Sequence, residues 1–125
     1  MSKHNFKDIE WQARFTHQKV ILFNEDDFDS KGTKLQIIKI KPGGNIEPHY
    51  HKVRTEAFYV LSGSGQIRQD DEIIECSEGD YLLCKPNTVH SFANHESVDF
   101  VVAVFRTNDP GDSDMLWVDK SGSEK

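Results

Sequence analysis

From residue 20 onward the chain breaks into short β-branched and aromatic runs, each stopped by a turn signal roughly every 8–12 residues, and this rhythm constrains the fold most. Residues 20–23 (VILF) stop at Asn24-Glu25-Asp26-Asp27, and 35–41 (LQIIKIK) stop at Pro42-Gly43-Gly44. Residues 57–61 close on Ser62-Gly63-Ser64-Gly65, 66–69 on Asp70-Asp71, 73–76 on Glu78-Gly79-Asp80, and 81–84 on Lys85-Pro86-Asn87. The longest run is 98–105 (VDFVVAVF), and 115–118 (MLWV) follows it. No stretch shows the 3.6-residue period of an amphipathic helix, so the expectation is an all-β sandwich or barrel.

Residues 100–105 are apolar on both parities, whereas a strand with one wet face alternates. The sheet is therefore expected to be covered on its outer face, by the N-terminal arm or by a second subunit, and a homodimer is predicted. Residues 1–16 scatter Phe6, Ile9, Trp11 and Phe15 without a period, which suits a short helical turn or an irregular arm. Residues 119–125 (DKSGSEK) read as a frayed tail. The expected organisation is one domain over residues 1–125 with its core barrel over 20–118.

Composition removes several function classes. Leu, Ile, Val and Phe supply 32 of 125 residues, too many for a disordered chain. The net charge of −6 argues against a nucleic-acid partner. No apolar run reaches the roughly 18 residues of a membrane span, and the polar, acidic N-terminus does not resemble a signal peptide. Cys76 and Cys84 are too few for a disulfide scaffold, so a cytoplasmic protein is expected.

Chemistry concentrates in three histidines and a glutamate. His49 and His51 flank Tyr50, and on a strand such positions project to the same face. Alone, the pair reads equally well as two solvent-facing histidines. Glu56 opens the apolar run 57–61 and has the reach of an oxygen ligand, although a charge at a strand mouth is commonly just solvated. His90 lies among apolar neighbours in Asn87-Thr88-Val89-His90-Ser91-Phe92. Three neutral imidazoles and a carboxylate suit one divalent transition metal: iron, manganese, nickel, zinc or copper.

The spacings resemble those of the cupin superfamily. From Gly43, five residues lead to His49, one more to His51, four to Glu56 and six to Gly63, as in the first cupin motif. The second motif is matched by GDYLLCKPNTVHSFAN, in which Gly79 precedes Lys85, Pro86, Asn87, His90 and Asn94. The family commonly has Pro where Lys85 stands and Gly where Asn87 stands; Asn accepts the left-handed backbone that such a turn needs. The resemblance implies a small double-stranded β-helix, or jelly-roll, barrel of two antiparallel sheets. It also implies a metal held by His49, His51, Glu56 and His90, with open positions for substrate.

Phe58 and Val60 share parity with Glu56, so they are expected to line the cavity, or equally to fill the core. Lys85 is either an anion anchor at the cavity mouth or a solvated lysine at a strand end. Lys52, Arg54 and Arg68 read as surface charges, and His4, His17 and His95 as exposed. Trp11, Trp117 and Phe28 read as core or interface filler, and the two cysteines as part-buried thiols. The resulting expectation is a metal-dependent enzyme acting on a small molecule, in which Glu56 is a ligand or a general base. Apolar inner positions tilt this toward a dioxygenase over a sugar or sugar-phosphate isomerase or a decarboxylase. A non-catalytic ligand-binding or sensory module is the other reading.

Overall fold

The computed structural model describes residues 3–119, with about half of them in strands that form two antiparallel sheets. The first sheet has the order β1 (Gln12–Ala13), β2 (Gln18–Phe23), β3 (Lys34–Ile40), β10 (Phe100–Thr107), β5 (Thr55–Ser62), β8 (Tyr81–Cys84). The second has the order β11 (Leu116–Trp117), β4 (Asn45–Tyr50), β9 (His90–Ala93), β6 (Ser64–Gln69), β7 (Glu72–Ser77). Ile38, Ile40, Phe58 and Val102 of the first sheet pack in one cluster with Ile46, Ile67 and Phe92 of the second. The inner faces thus meet, as two half-apolar sheets must to bury their surface. Along β5, Glu56, Phe58 and Val60 are buried while their neighbours are more open, the two-residue period of a pleated strand.

Two turns close the barrel where the backbone is left-handed. Gly63 has φ +76°, and a Cβ there would overlap the carbonyl oxygen of Asp99, so glycine joins β5 to β6. Asn87 has φ +69°, as expected of its place in the turn before β9. Gly43 N donates to Asn94 O at 2.9 Å and Asn94 N to Gly44 O at 3.0 Å, so the start of one motif is tied to the end of the other.

Several details differ from the sequence reading. Residues 24–28 form a one-turn helix, α1 (Glu25–Phe28), where a plain turn was expected. Asn24 caps it reciprocally with Asp27, and acids in a first turn are favoured there. Part of the expected N-terminal arm becomes β1, preceded by a 3₁₀ turn at Phe6–Asp8. Strands β4 and β9 were not anticipated as separate runs, because Pro48 and the histidines dilute their β-propensity.

The outer face of the first sheet is covered at one end only. Trp11 packs under Lys39, whose Nζ lies 4.1 Å from the ring centre, and Val101 beside Lys39 is buried. Farther along, Phe105, Tyr59, Tyr81 and Leu83 remain exposed. Among the described residues no helix is long and apolar enough to cross a membrane. Of the expected tail, only Asp119 lies within the described residues.

Candidate metal centre

Strands β4 and β9 lie side by side with His49 opposite His90, and His51 follows one residue after the end of β4. Glu56, near the start of β5, sits between Cys84 of β8 and Arg106 of β10. All four candidate ligands are buried. His49, His51 and His90 each present a ligand atom within 4.8 Å of the other two, so three histidines that can hold a metal do converge. Glu56 Oε1 stands 3.1 Å from His90 Nε2 and 3.3 Å from His51 Nε2.

Each imidazole is fixed by a backbone carbonyl. Nδ1 of His49 lies 2.7 Å from Glu47 O, that of His51 2.9 Å from Asp114 O, and that of His90 3.0 Å from Thr88 O. A carbonyl only accepts, so each Nδ1 carries a proton and leaves Nε2 facing the site; without a metal His90 Nε2 donates to Glu56 Oε1, and on giving up that proton it too offers a lone pair. This outer support is the kind that orients metal-ligating histidines. His51 Nε2 is buried without a hydrogen-bond partner, its approach to Glu56 being misaligned for one. An orphaned imidazole nitrogen beside two more and a carboxylate fits a divalent cation.

The charges of the site are coupled. Burial acts against a charge on His90, but Cys84 Sγ at 3.3 Å and the Glu56 carboxylate outweigh it and raise its pKa to about 10. Burial, together with the neighbouring His90, drives His49 down to about 3. Burial would raise Glu56, yet His51, His90 and Arg106 hold its carboxyl well below the ordinary range. Without a metal, then, one proton on His90 balances Glu56. A metal would compete for that position.

Glu56 faces two ways. Its Oε1 meets the histidines, while its Oε2 accepts from Arg106 Nε at 2.7 Å and lies 3.8 Å from Arg54 Nη1. Asp109 joins the two guanidiniums, 3.0 Å from Arg54 Nη2 and 3.8 Å from Arg106 Nη1. Arg54 is therefore no surface charge: at 1% exposure it is one of the most buried side chains, and it needs these partners. A second support is Asp114, whose carboxylate accepts from the successive N–H groups of Lys52, Val53 and Arg54. Burial opposes its charge, and those N–H groups outweigh burial and keep its pKa low. Asp114 thus ties down the segment after His51 and also offers His51 its carbonyl. The acidic stretch around Asp112 and Asp114 gave no sequence signal beyond a solvated loop.

A cavity of about 320 Å³ opens onto this centre through His49 and Glu56. Its walls include Ile38, Phe58, Phe92, Val104 and Trp117, and Trp117 packs on His49 with ring centres 5.1 Å apart. Phe58 lines the cavity, as one of its two readings had it. Val60, one pleat farther from Glu56, does not; at 1% exposure it is core, because the barrel closes between it and the cavity. Of the two readings of Lys85 the structure has the solvated one and not the anion anchor: it is exposed in the turn after β8 and lines no part of the cavity. His17 is half-buried and lines the cavity, since β1 and β2 fold its loop over the mouth. Arg68 is partly buried and donates to Asp70 O, Lys52, His4 and His95 are exposed, and both cysteines are free and buried. A larger groove of about 570 Å³ between the N-terminal residues and β2 shares no residue with the histidine site.

A two-sheet barrel with three converging histidines, two of them on paired strands, defines a class, and comparison with known proteins agrees. The cupin-domain family model matches residues 36–105, more than half of the chain, and the chain belongs to the cupin family. It is 42% identical over 50 residues to quercetin 2,3-dioxygenase of Bacillus subtilis, a match covering 40% of this chain and 15% of that enzyme. It is 30% identical over 98 residues to the alginate biosynthesis protein AlgA of Pseudomonas aeruginosa, covering 74% of this chain and 20% of that protein. The chain thus spans a small part of these two relatives. Among solved structures, the polyketide cyclase RemF of Streptomyces resistomycificus superposes with a TM-score of 0.76 at 20% identity, over 89% of this chain and 82% of that one. That likeness bears on fold alone.

Proposed function

We propose that this chain is a metal-dependent enzyme acting on a small molecule in the cavity, with dioxygenase chemistry ahead of sugar or sugar-phosphate isomerisation and decarboxylation. The observation that carries the reading is the set of three imidazoles locked by backbone carbonyls, with their Nε2 atoms turned to one point beside Glu56. A divalent transition metal held by His49, His51, His90 and Glu56 would supply Lewis acidity and, if redox-active, one-electron chemistry. The chain's own groups do the rest. The Nδ1 contacts keep the rings from turning, and Arg106 keeps Glu56 ionised and in place, which favours a ligand over a general base. Phe58, Phe92 and Trp117 offer an apolar bed and exclude water. The local identity to quercetin 2,3-dioxygenase supports the oxygenase side.

The test is oxygen uptake by protein loaded with iron, manganese or nickel, against catechols, flavonols and sugar phosphates. Oxygen consumption with an aromatic substrate is the expected result. Isomer formation without oxygen uptake would replace it with the isomerase reading, and tight binding without turnover across the panel would make the chain a binding or sensory module.

We further propose a homodimer through the open end of the first sheet. Tyr59, Tyr81, Leu83 and Phe105 form an uncharged outer surface on a chain of net charge −6, and the N-terminal residues pack at the other end. A second copy can approach an acidic molecule most cheaply at its uncharged face. A sedimentation profile of a monomer at high concentration would contradict this. The two free thiols accord with a cytoplasmic setting, which we propose as well.

A further inference from the structure

The mouth of the cavity runs against the charge of the chain. On a protein of net charge −6, Arg14, His17, Lys19 and Arg106 all line the cavity, and the three of them that carry charge, Arg14, Lys19 and Arg106, are opposed there only by Asp112 and by Glu56 on the floor. The β1–β2 hairpin delivers the first three: Arg14 N donates to His17 O at 2.7 Å to close its loop, and Lys19 stands opposite Gln12. Arg106 is engaged with Glu56 and Asp109. Arg14, by contrast, donates to neutral acceptors, Ala13 O and Gln12 Oε1, both at 3.1 Å. Neither Arg14 nor Lys19 forms an ion pair among the described residues.

The neighbours register the sign of the local field. Burial lowers the pKa of Lys19, and Arg14, Arg106 and Lys34 lower it further against the opposing pull of Asp112. Burial, then Lys19 and Arg14, bring His17 down to about 4, so it is neutral at physiological pH. Cations held together at a loss to their own charge gain most from an anion. One more polar group on the wall is unsatisfied: Gln36, 2% exposed, has a buried Oε1 with no partner. The remaining wall is largely apolar.

We propose that the ligand of this cavity is a small amphipathic oxyanion, an apolar body carrying a carboxylate or phosphate that Arg14 and Lys19 bind at the mouth. The inference deepens the reading of the cavity as the substrate site and rests on it. A volume of about 320 Å³ lies at the small end for ligand sites, so the body is about one or two rings in size. Gln36 is placed to accept a hydrogen bond from a hydroxyl on that body. The apolar wall accounts for the body; the mouth adds the acid.

The experiment titrates benzoate, benzamide and phenyl phosphate into metal-free and metal-loaded protein, by calorimetry and by the fluorescence of Trp117 in the cavity wall. In metal-free protein an anion should bind at least about tenfold more tightly than benzamide, with a preference that weakens as salt rises. The R14Q/K19Q double variant should lose that preference while its metal content stays unchanged and its melting temperature does not fall. A tighter fit of phenyl phosphate assigns phosphorylated ligands, and a tighter fit of benzoate assigns carboxylic acids. Equal binding of benzoate and benzamide, no binding of either, or an anion preference that survives in the double variant or needs the metal would each overturn the proposal. Failure of wild-type protein to take up metal with the anion preference intact would sink the metal-centre reading and leave this one standing.

Discussion

The floor and the mouth of the cavity are both charged, and they treat charge in opposite ways. On the floor every ionic group has a built-in answer: Glu56 meets His90 and Arg106, Arg54 meets Asp109, and Asp114 meets three backbone N–H groups. At the mouth, Arg14 and Lys19 face the cavity with no ion pair among the described residues. The floor is a preorganised site, and among the described residues Nε2 of His51 is left without a hydrogen-bond partner at a point where a cation would fit. The mouth has the converse demand, for an anion. A metal with an acidic ligand would meet both.

Removing a floor ligand should have the largest effect. His51→Ala deletes one of three converging nitrogens and should strip most of the bound metal, measured by elemental analysis, while leaving the anion preference of the mouth in place. Next comes the support of that ligand. Asp114→Ala frees the backbone of residues 52–54 and loosens His51, and should weaken metal affinity about 10–100-fold in a competition titration.

The pH response separates the regions further. In metal-free protein His49 and His17 titrate near 3 and 4 instead of 6.5, so the folded state binds fewer protons than the unfolded chain, and stability falls as pH drops from 6.5 toward 4. His90 titrates near 10, so its contribution is complete below 6.5 and is lost as pH rises toward 10. Melting temperature should therefore peak near pH 6.5 in metal-free protein. Metal loading should flatten the alkaline fall, because His90 then gives up its proton to bind the ion. An alkaline decline identical with and without metal would contradict the coupling. The smallest effect belongs to Lys85→Ala, which lies on neither floor nor mouth: stability should move by less than about 0.5 kcal/mol, and metal content and anion binding not at all.

The sequence carried the floor far better than the mouth. His49, His51, Glu56 and His90 were legible because strand parity and motif spacing place each on an inner face, and the barrel brings those faces together. Arg54 was misread as surface, since nothing local announces that Asp109, some fifty residues away, closes over it. Asp114 was hidden in an acidic loop for the same reason. Arg14 fell in the N-terminal arm and His17 was read as exposed, because a two-residue strand such as β1 leaves no periodic trace. Strands β4 and β9 gave weak signals where function overrides propensity, with histidines and Pro48 in place of β-branched residues. The candidate ligands are visible in spacing; the residues that pin them come from distant turns and are not.

The most direct test of the account is the metal content of wild-type protein after reconstitution, set beside that of His51→Ala and of R14Q/K19Q. The account predicts about one divalent transition metal per wild-type and R14Q/K19Q chain and little in His51→Ala. A wild-type chain that stays metal-free, or a His51→Ala chain that holds as much metal as wild type, would contradict it.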